Sequence, residues 1–398
     1  MSTFQRLIPW CALVLSGCSA VLGLDGLAFD RAAEGGGAGS GGLGGSGVGG
    51  SGATAGSGGA AGATVTGGAG QGGTGGGGPT EGWLYTAGNR LNTSAGQPFR
   101  GRGASLHDTR SCWACSWFAP NPGEVERRAD ELVDVWGANF VRLLLESYPD
   151  DQGGAVQWQN IIDDPGYLQD VVEIVDYIGQ KPGVYVLVSL WVDGSFSTDG
   201  WPTATTIAEW QLLAETFRND SHVLFGIVEG PRGNTDGSLD AGCWNAMNDT
   251  VAAIRAVEDG YGTPHHVIAV QGTGSEGRRL DYYVSHPIAA GGGENIVYET
   301  HVYDAPTQFQ ALFIGPSQTL PVIIGEFGPI AGAMTPADCE DLMVEARAND
   351  IPHLGYTFHM RCGANMLVDY SAGGCGEGMA LDPTAWGTIL QTHLATAW

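Results

Sequence analysis

Leu320-Pro-Val-Ile-Ile-Gly-Glu326, followed by Phe327-Gly328, reads as a buried β-strand that closes on a carboxylate. Its body is apolar and β-branched, as in a strand covered on both faces. The run His222-Val-Leu-Phe-Gly-Ile-Val-Glu229 has the same build. Outward from these two, strand-like runs occupy Pro98–Ala104, Asn139–Leu145, Val184–Trp191, Val223–Glu229, His266–Gln271, Ile296–Val302, Val322–Phe327 and Leu354–His359. Amphipathic helical patterns separate them. Asn121-Pro122 with Glu124 is a helix start, and Val125, Leu132, Val133 and Trp136 fall near one face of that helix. Tyr167–Ile178, Pro336–Ala348 and Pro383–Ala397 read the same way. Alternation repeated eight times predicts an α/β fold, a (β/α)8 TIM barrel of parallel strands. A doubly wound open sheet would want a phosphate loop after its first strand, and Arg100-Gly-Arg-Gly103 is not one.

In such a barrel the C-terminal strand ends form the mouth where sites are built. Strand two brings Arg142 there, strand four Glu229, strand six His301 and Tyr303, strand seven Glu326, and strand eight Phe358 and His359. Trp191 stands at the end of strand three. Further aromatics, Trp113, Trp117, Phe118, Trp158, Trp201 and Trp244, fall in or near mouth loops, as stacking surfaces for sugar rings or as packing. Two carboxylates facing one another across a mouth can cleave a glycosidic bond.

The chain has 398 residues, and only part of it can form a core. Residues 35–80 hold no charged and no aromatic residue, and more than half are glycine. Such a stretch cannot offset its ordering entropy, so a flexible tether reaching about 35–40 Å is expected. Before it, Arg6 and the apolar run Leu7–Leu15 read as an export signal, too short to span a bilayer. Leu15-Ser16-Gly17-Cys18 resembles a lipoprotein processing box. The expected organisation is a signal peptide over 1–18, a disordered Gly-rich linker over 19–80 and one catalytic domain over 81–398. Cys18 would carry a lipid anchor, with Ser19 after it favouring the outer membrane or cell surface by resemblance; an ordinary secretory signal is the other reading.

Net charge is −26, with Lys181 the only lysine. That field disfavours nucleic acid, anionic lipid and polyanionic substrates, and it suits a neutral partner. Beyond Cys11 and Cys18, six cysteines remain: Cys112, Cys115, Cys243, Cys339, Cys362 and Cys375. In an exported chain they suggest disulfides, with Cys362 and Cys375 pairing around a Gly-rich loop. Cys112-Trp-Ala-Cys115 has no second CxxC to complete a zinc site.

Trp83-Leu-Tyr-Thr-Ala-Gly-Asn-Arg90, Gln97-Pro-Phe-Arg-Gly-Arg-Gly103, Asn139-Phe-Val-Arg142, His301-Val-Tyr303 and Ile324-Gly-Glu326-Phe-Gly328 together resemble glycoside hydrolase family 5, the cellulase-like group of clan A. The resemblance covers roughly residues 83–398. It implies retaining hydrolysis of a neutral β-linked polysaccharide or oligosaccharide, β-glucan first and mannan second, by a monomer needing no cofactor and no metal. It also implies Glu229 as acid/base, Glu326 as nucleophile, and Arg142, His301, Tyr303, Trp191, Phe358 and His359 around the substrate. Carboxyls about 5–5.5 Å apart would serve that mechanism. Arg142 and Tyr303 would keep the nucleophile ionised, and burial beside a like charge would keep the acid protonated.

The chain departs from the family at three places. Val228 stands where an Asn precedes the acid/base, strand three (Ser189-Leu-Trp-Val-Asp193) lacks the usual histidine, and strand eight reads Tyr356-Thr-Phe-His-Met360 in place of a Trp platform. Asn234, His107 or Asp193 are the candidates to fill in. These departures also motivate a different reading, a non-catalytic carbohydrate-binding surface lipoprotein on a degenerate barrel. A metal-dependent hydrolase using His301, His359 and Glu326 is a third.

Overall fold

The computed structural model describes residues 80–109, 121–145, 161–191, 201–228, 234–274, 277–361, 363–371 and 376–398. The expected signal peptide and linker, Cys18, Glu229, Asp193, Cys112, Cys115, Cys362, Cys375, Trp113, Trp117, Phe118 and Trp158 lie outside the described residues.

A hairpin of β1 (Tyr85–Ala87) and β2 (Arg90–Asn92) precedes the barrel. The barrel strands are β3 (Arg102–His107), β4 (Phe140–Leu145), β5 (Tyr185–Leu190), β6 (Val223–Gly226), β7 (Ile268–Gln271), β8 (Ile296–Val302), β9 (Val322–Phe327) and β10 (His353–Gly355). All pair in parallel, in sequence order, and β10 returns to β3 to close the cylinder. This is a (β/α)8 barrel, the fold that the alternation predicts. The main helices are α1 (Pro122–Asp130), α2 (Pro165–Gly179), α3 (Ala204–Thr216), α4 (Asp240–Tyr261), the short α5 (Asp281–Ser285), α6 (Pro336–Ala348) and α7 (Ala385–Ala395).

Side-chain chemistry marks where these helices begin. Asn121 accepts from the Glu124 amide with Pro122 in the first turn, and Asp164 accepts from the Gly166 and Tyr167 amides with Pro165 beside it. Thr335 and Asp338 cap each other reciprocally around Pro336. Each cap satisfies amides that the helix cannot, worth about 1 kcal/mol.

Several strand boundaries differ from expectation, the first and the eighth most of all. The first strand starts at Arg102, because Pro98 bridges back to Asn92 and Phe99 sits under the barrel, edge-on to Phe140 and Tyr185. Proline has no N–H for a ladder, so residues 97–101 join the hairpin that plugs the lower opening. The eighth strand ends at Gly355; beyond it the chain folds back on residues 364–367, with Thr357 N donating to Ala364 O and Met366 N to Thr357 O.

Alternation along the strands sorts the barrel interior into layers. At the bottom lie Phe140, Leu187, Leu224, Ala269, Val297, Ile323 and Leu354, sealed from below by Leu84, Leu91 and Phe99. Two residues further along, five of the strands turn polar groups into the lining, Ser105, Arg142, Ser189, Gln271 and Glu299, all fully buried, and β6 and β9 place Gly226 and Gly325 there. Outward-facing residues of the same strands, such as Val141, Val186, Phe225 and Ile324, pack against the helices in one continuous apolar core. Cys339 is a buried free thiol in the helical layer, so the expectation of a bridge does not hold for it; Cys243 is buried in the same layer. They sit inside the apolar core on α4 and α6.

Candidate active site

The site is built on the polar layer. Arg142 comes from β4, fully buried, and its Nη1 donates to Oε1 of Glu326 over 2.7 Å. Its Nη2 donates to Ser189 Oγ at 3.1 Å and lies 3.3 Å from Oε1 of Glu299. The second Glu326 oxygen accepts from the Tyr303 hydroxyl at 2.9 Å, and His301 Nδ1 lies 3.3 Å from it. His301 Nε2 is 3.0 Å from Glu299 Oε1 and 2.8 Å from the Gln271 amide nitrogen. Glu326 is 1% exposed, so donors rather than bulk water hold its carboxylate. Burial raises the Glu299 carboxyl, but Arg142, His301 and Gln271 outweigh it and hold the group below the usual carboxylate range.

A bulge aims Glu326 inward. Thr300 faces Ile324 across β8 and β9, whereas the next residue, His301, faces Glu326. Gly325 is the extra residue, and the bulge turns the following side chain to the barrel interior. A Cβ at Gly325 would stand 1.9 Å from Glu299 Oε1, so only glycine lets the two strands share that space. Gly226 is similar, since a Cβ there would meet Ser189 Oγ at 2.6 Å.

Of the residues expected around the site, Arg142, His301, Tyr303 and Glu326 meet in one hydrogen-bonded group. Trp191 is partly exposed just past β5, its amide bonded to Leu145 O. Phe358 does not join them. It is fully buried in the outer core, edge-on to Trp136 at 4.9 Å, because the chain leaves the ladder after β10. His359 is also buried, 5.3 Å edge-on to His107, with Nδ1 accepting from the Arg361 amide. Burial and the Arg128 guanidinium push its imidazole well below the usual value.

His107 ends β3 on the interior side, next to Tyr356. Burial first, then Arg128 and Arg142, push its pKa down to about 3, so it is a neutral ring at ordinary pH. Asn234 is committed to its own loop, donating to Asp240 and Thr273 O and accepting from the Leu239 amide. Trp201 and Trp244 pack against the helical core. Val228 is fully buried in that same core.

Sequence reasoning passed over Glu299, Gln271 and Ser189. The signal was present: Glu299 stands two residues before His301 in a strand buried throughout, hence on the same face.

Residues 93–360 match the sequence model of the cellulase family, glycosyl hydrolase family 5. The chain belongs to that family. No curated protein sequence matches it. Solved structures of the family share its fold at low identity. A cellulase, Cel5C_n, superposes with a TM-score of 0.61 at 21% identity, over 80% of this chain and 94% of that one. The catalytic domain of Thermobifida fusca endoglucanase Cel5A gives 0.59 at 17%, over 79% and 97%. A Thermomonospora fusca β-mannanase, solved with mannotriose, gives 0.57 at 20%, over 79% and 97%.

Proposed function

We propose that the protein is a retaining glycoside hydrolase acting on a neutral β-linked glucan, with mannan the second candidate. The observation that carries this reading is the Glu326 carboxylate at the C-terminal mouth of the barrel, one oxygen on Arg142 and the other on Tyr303. Donors so placed favour the ionised carboxylate and fix its direction of attack. Glu326 would attack the anomeric carbon while Glu229 protonates the departing oxygen; water, deprotonated by Glu229, would then release the sugar from the ester. The choice of glucan before mannan follows the cellulases and the mannanase that share the fold, and the net charge of −26 favours an uncharged chain.

Purified protein is expected to release reducing sugar from mixed-linkage β-glucan or cello-oligosaccharides more readily than from mannan. Glu326→Gln should abolish turnover with the melting temperature retained, and a 2-deoxy-2-fluoro glycoside should label Glu326. Undiminished turnover by that variant would overturn the assignment. A carbohydrate-binding protein without catalysis is the second reading, favoured by Val228, whose buried apolar side chain offers a sugar nothing at the position before Glu229. Binding of glucan without hydrolysis, unchanged in Glu229→Ala, would support it.

For location we propose export and acylation at Cys18, the Gly-rich stretch over 35–80 holding the barrel away from the membrane. Fatty-acid incorporation that persists in Cys18→Ser would contradict this.

A further inference from the structure

Behind the Glu326 carboxylate lies a second one, Glu299, fully buried and reached by three donors on a single oxygen. His301 Nε2 stands 3.0 Å from Oε1, the Gln271 amide nitrogen 3.1 Å and Arg142 Nη2 3.3 Å. Two of these donors continue to Glu326: Arg142 through Nη1 at 2.7 Å, and His301 through Nδ1 at 3.3 Å. The guanidinium and the imidazole therefore each bridge the same pair of carboxylates.

Charge counting among the described residues says what this bridge requires. Two ionised carboxylates against one guanidinium would leave a net negative charge in a layer almost closed to solvent, which is costly. Among the described residues, the groups around His301 are Arg142 from β4, Gln271 from β7, Glu299 on its own β8, Tyr303 just past β8 on the shared Glu326 oxygen, and Glu326 from β9. Both ring nitrogens face carboxylate oxygens. A neutral ring would turn a lone pair toward one of them, whereas an imidazolium donates to both. The Gln271 amide, 2.8 Å from Nε2, sends its hydrogen to the same Glu299 oxygen.

We propose that Glu299 is a positioning residue, the fixed counter-ion that keeps His301 an imidazolium and holds Arg142 so that both stay aimed at Glu326. This rests on the reading of Glu326 as nucleophile. When Glu326 becomes an ester its charge disappears, while Glu299 keeps its own beside the two cations; His301 keeps its proton throughout.

The test is nitrogen NMR on the full chain labelled in its histidine rings, with the His301 signals assigned by their loss in His301→Gln. In wild type at pH 7 both His301 nitrogens are expected to be protonated, and Glu299→Gln is expected to remove one proton. With the best substrate of the panel, Glu299→Gln should lower kcat on the order of a hundredfold, the scale of a roughly 1 Å misplacement, with KM little changed. Glu299→Asp, which keeps the charge, should recover part of the rate and the doubly protonated ring. A neutral His301 in wild type would overturn the proposal, whether or not the variants fold. So would a Glu299→Gln enzyme with wild-type kcat and an unchanged ring. If wild type hydrolyses no glycan, the proposed function fails while the ring spectra still decide the role of Glu299.

Discussion

At position 325 a single hydrogen in place of a methyl sets the distance between two strands and a buried carboxylate. A Cβ there would stand 1.9 Å from Glu299 Oε1. Gly325→Ala must therefore push Glu299 aside or widen the bulge, and overpacking of this kind costs about 1–3 kcal/mol. We expect a lower denaturation midpoint together with a loss of glycoside turnover larger than the stability change explains. Normal turnover in that variant would mean the layer beneath Glu326 tolerates displacement. At the same scale, Arg142→Leu leaves Glu299 and Glu326 without their shared guanidinium, and breaking a buried pair this way costs about 3–5 kcal/mol. Chemical denaturation of the variant at neutral pH measures it. Residue types alone pointed to Arg142, His301, Tyr303 and Glu326, because charged or polar groups at the ends of apolar strands stand out against their neighbours. Phe358 misled, since nothing in Tyr356-Thr-Phe-His says that the chain turns away after Gly355.

Helix starts were legible for a local reason: a cap and a proline act within four residues. Asn121-Pro122 and Thr335-Pro336 begin α1 and α6 as their chemistry dictates. Thr335→Ala is expected to cost about 1 kcal/mol, read from urea denaturation, with activity unchanged. The docking of α7 on β10 could not be read in this way. His353 Nδ1 donates to Ile351 O, and its Nε2 lies 2.9 Å from His393 Nε2, a hydrogen bond that needs at least one of the two rings neutral. Burial pushes His353 down to about 4, and burial with its neighbours pushes His393 down to about 3. An unfolded chain takes up these protons near 6.5. Below that pH the unfolded state binds more protons than the folded one, so stability is whole above about 6.5 and falls as pH drops toward 4 and then 3. Denaturation midpoints measured from pH 7 to pH 4 should decline, and more steeply in wild type than in a His353→Gln, His393→Gln double variant. Equal slopes would show that other groups govern the acid limb.

For the molecule as a whole, the barrel depends on its hairpin plug, and no such dependence is expected on the Gly-rich stretch read from the sequence before it. Leu84, Leu91 and Phe99 seal the lower apolar layer. A chain beginning at residue 80 should melt with the full-length protein. One beginning at residue 101 exposes that layer and loses about 1.5–3 kcal/mol per buried side chain, enough to unfold many domains. Equal stability of the two would show that the seal is dispensable. The count of strands, their burial on both faces and the terminal glutamates are all periodic or compositional, and the sequence by itself determined them. It could not determine which way Glu326 points. Strict alternation from Ile323, which faces inward, would place Glu326 outside with Ile324. The bulge at Gly325 reverses this, and a bulge depends on what the neighbouring strand presents, here Glu299 and His301. Register between strands is a property of pairing, so only the tertiary structure could decide it.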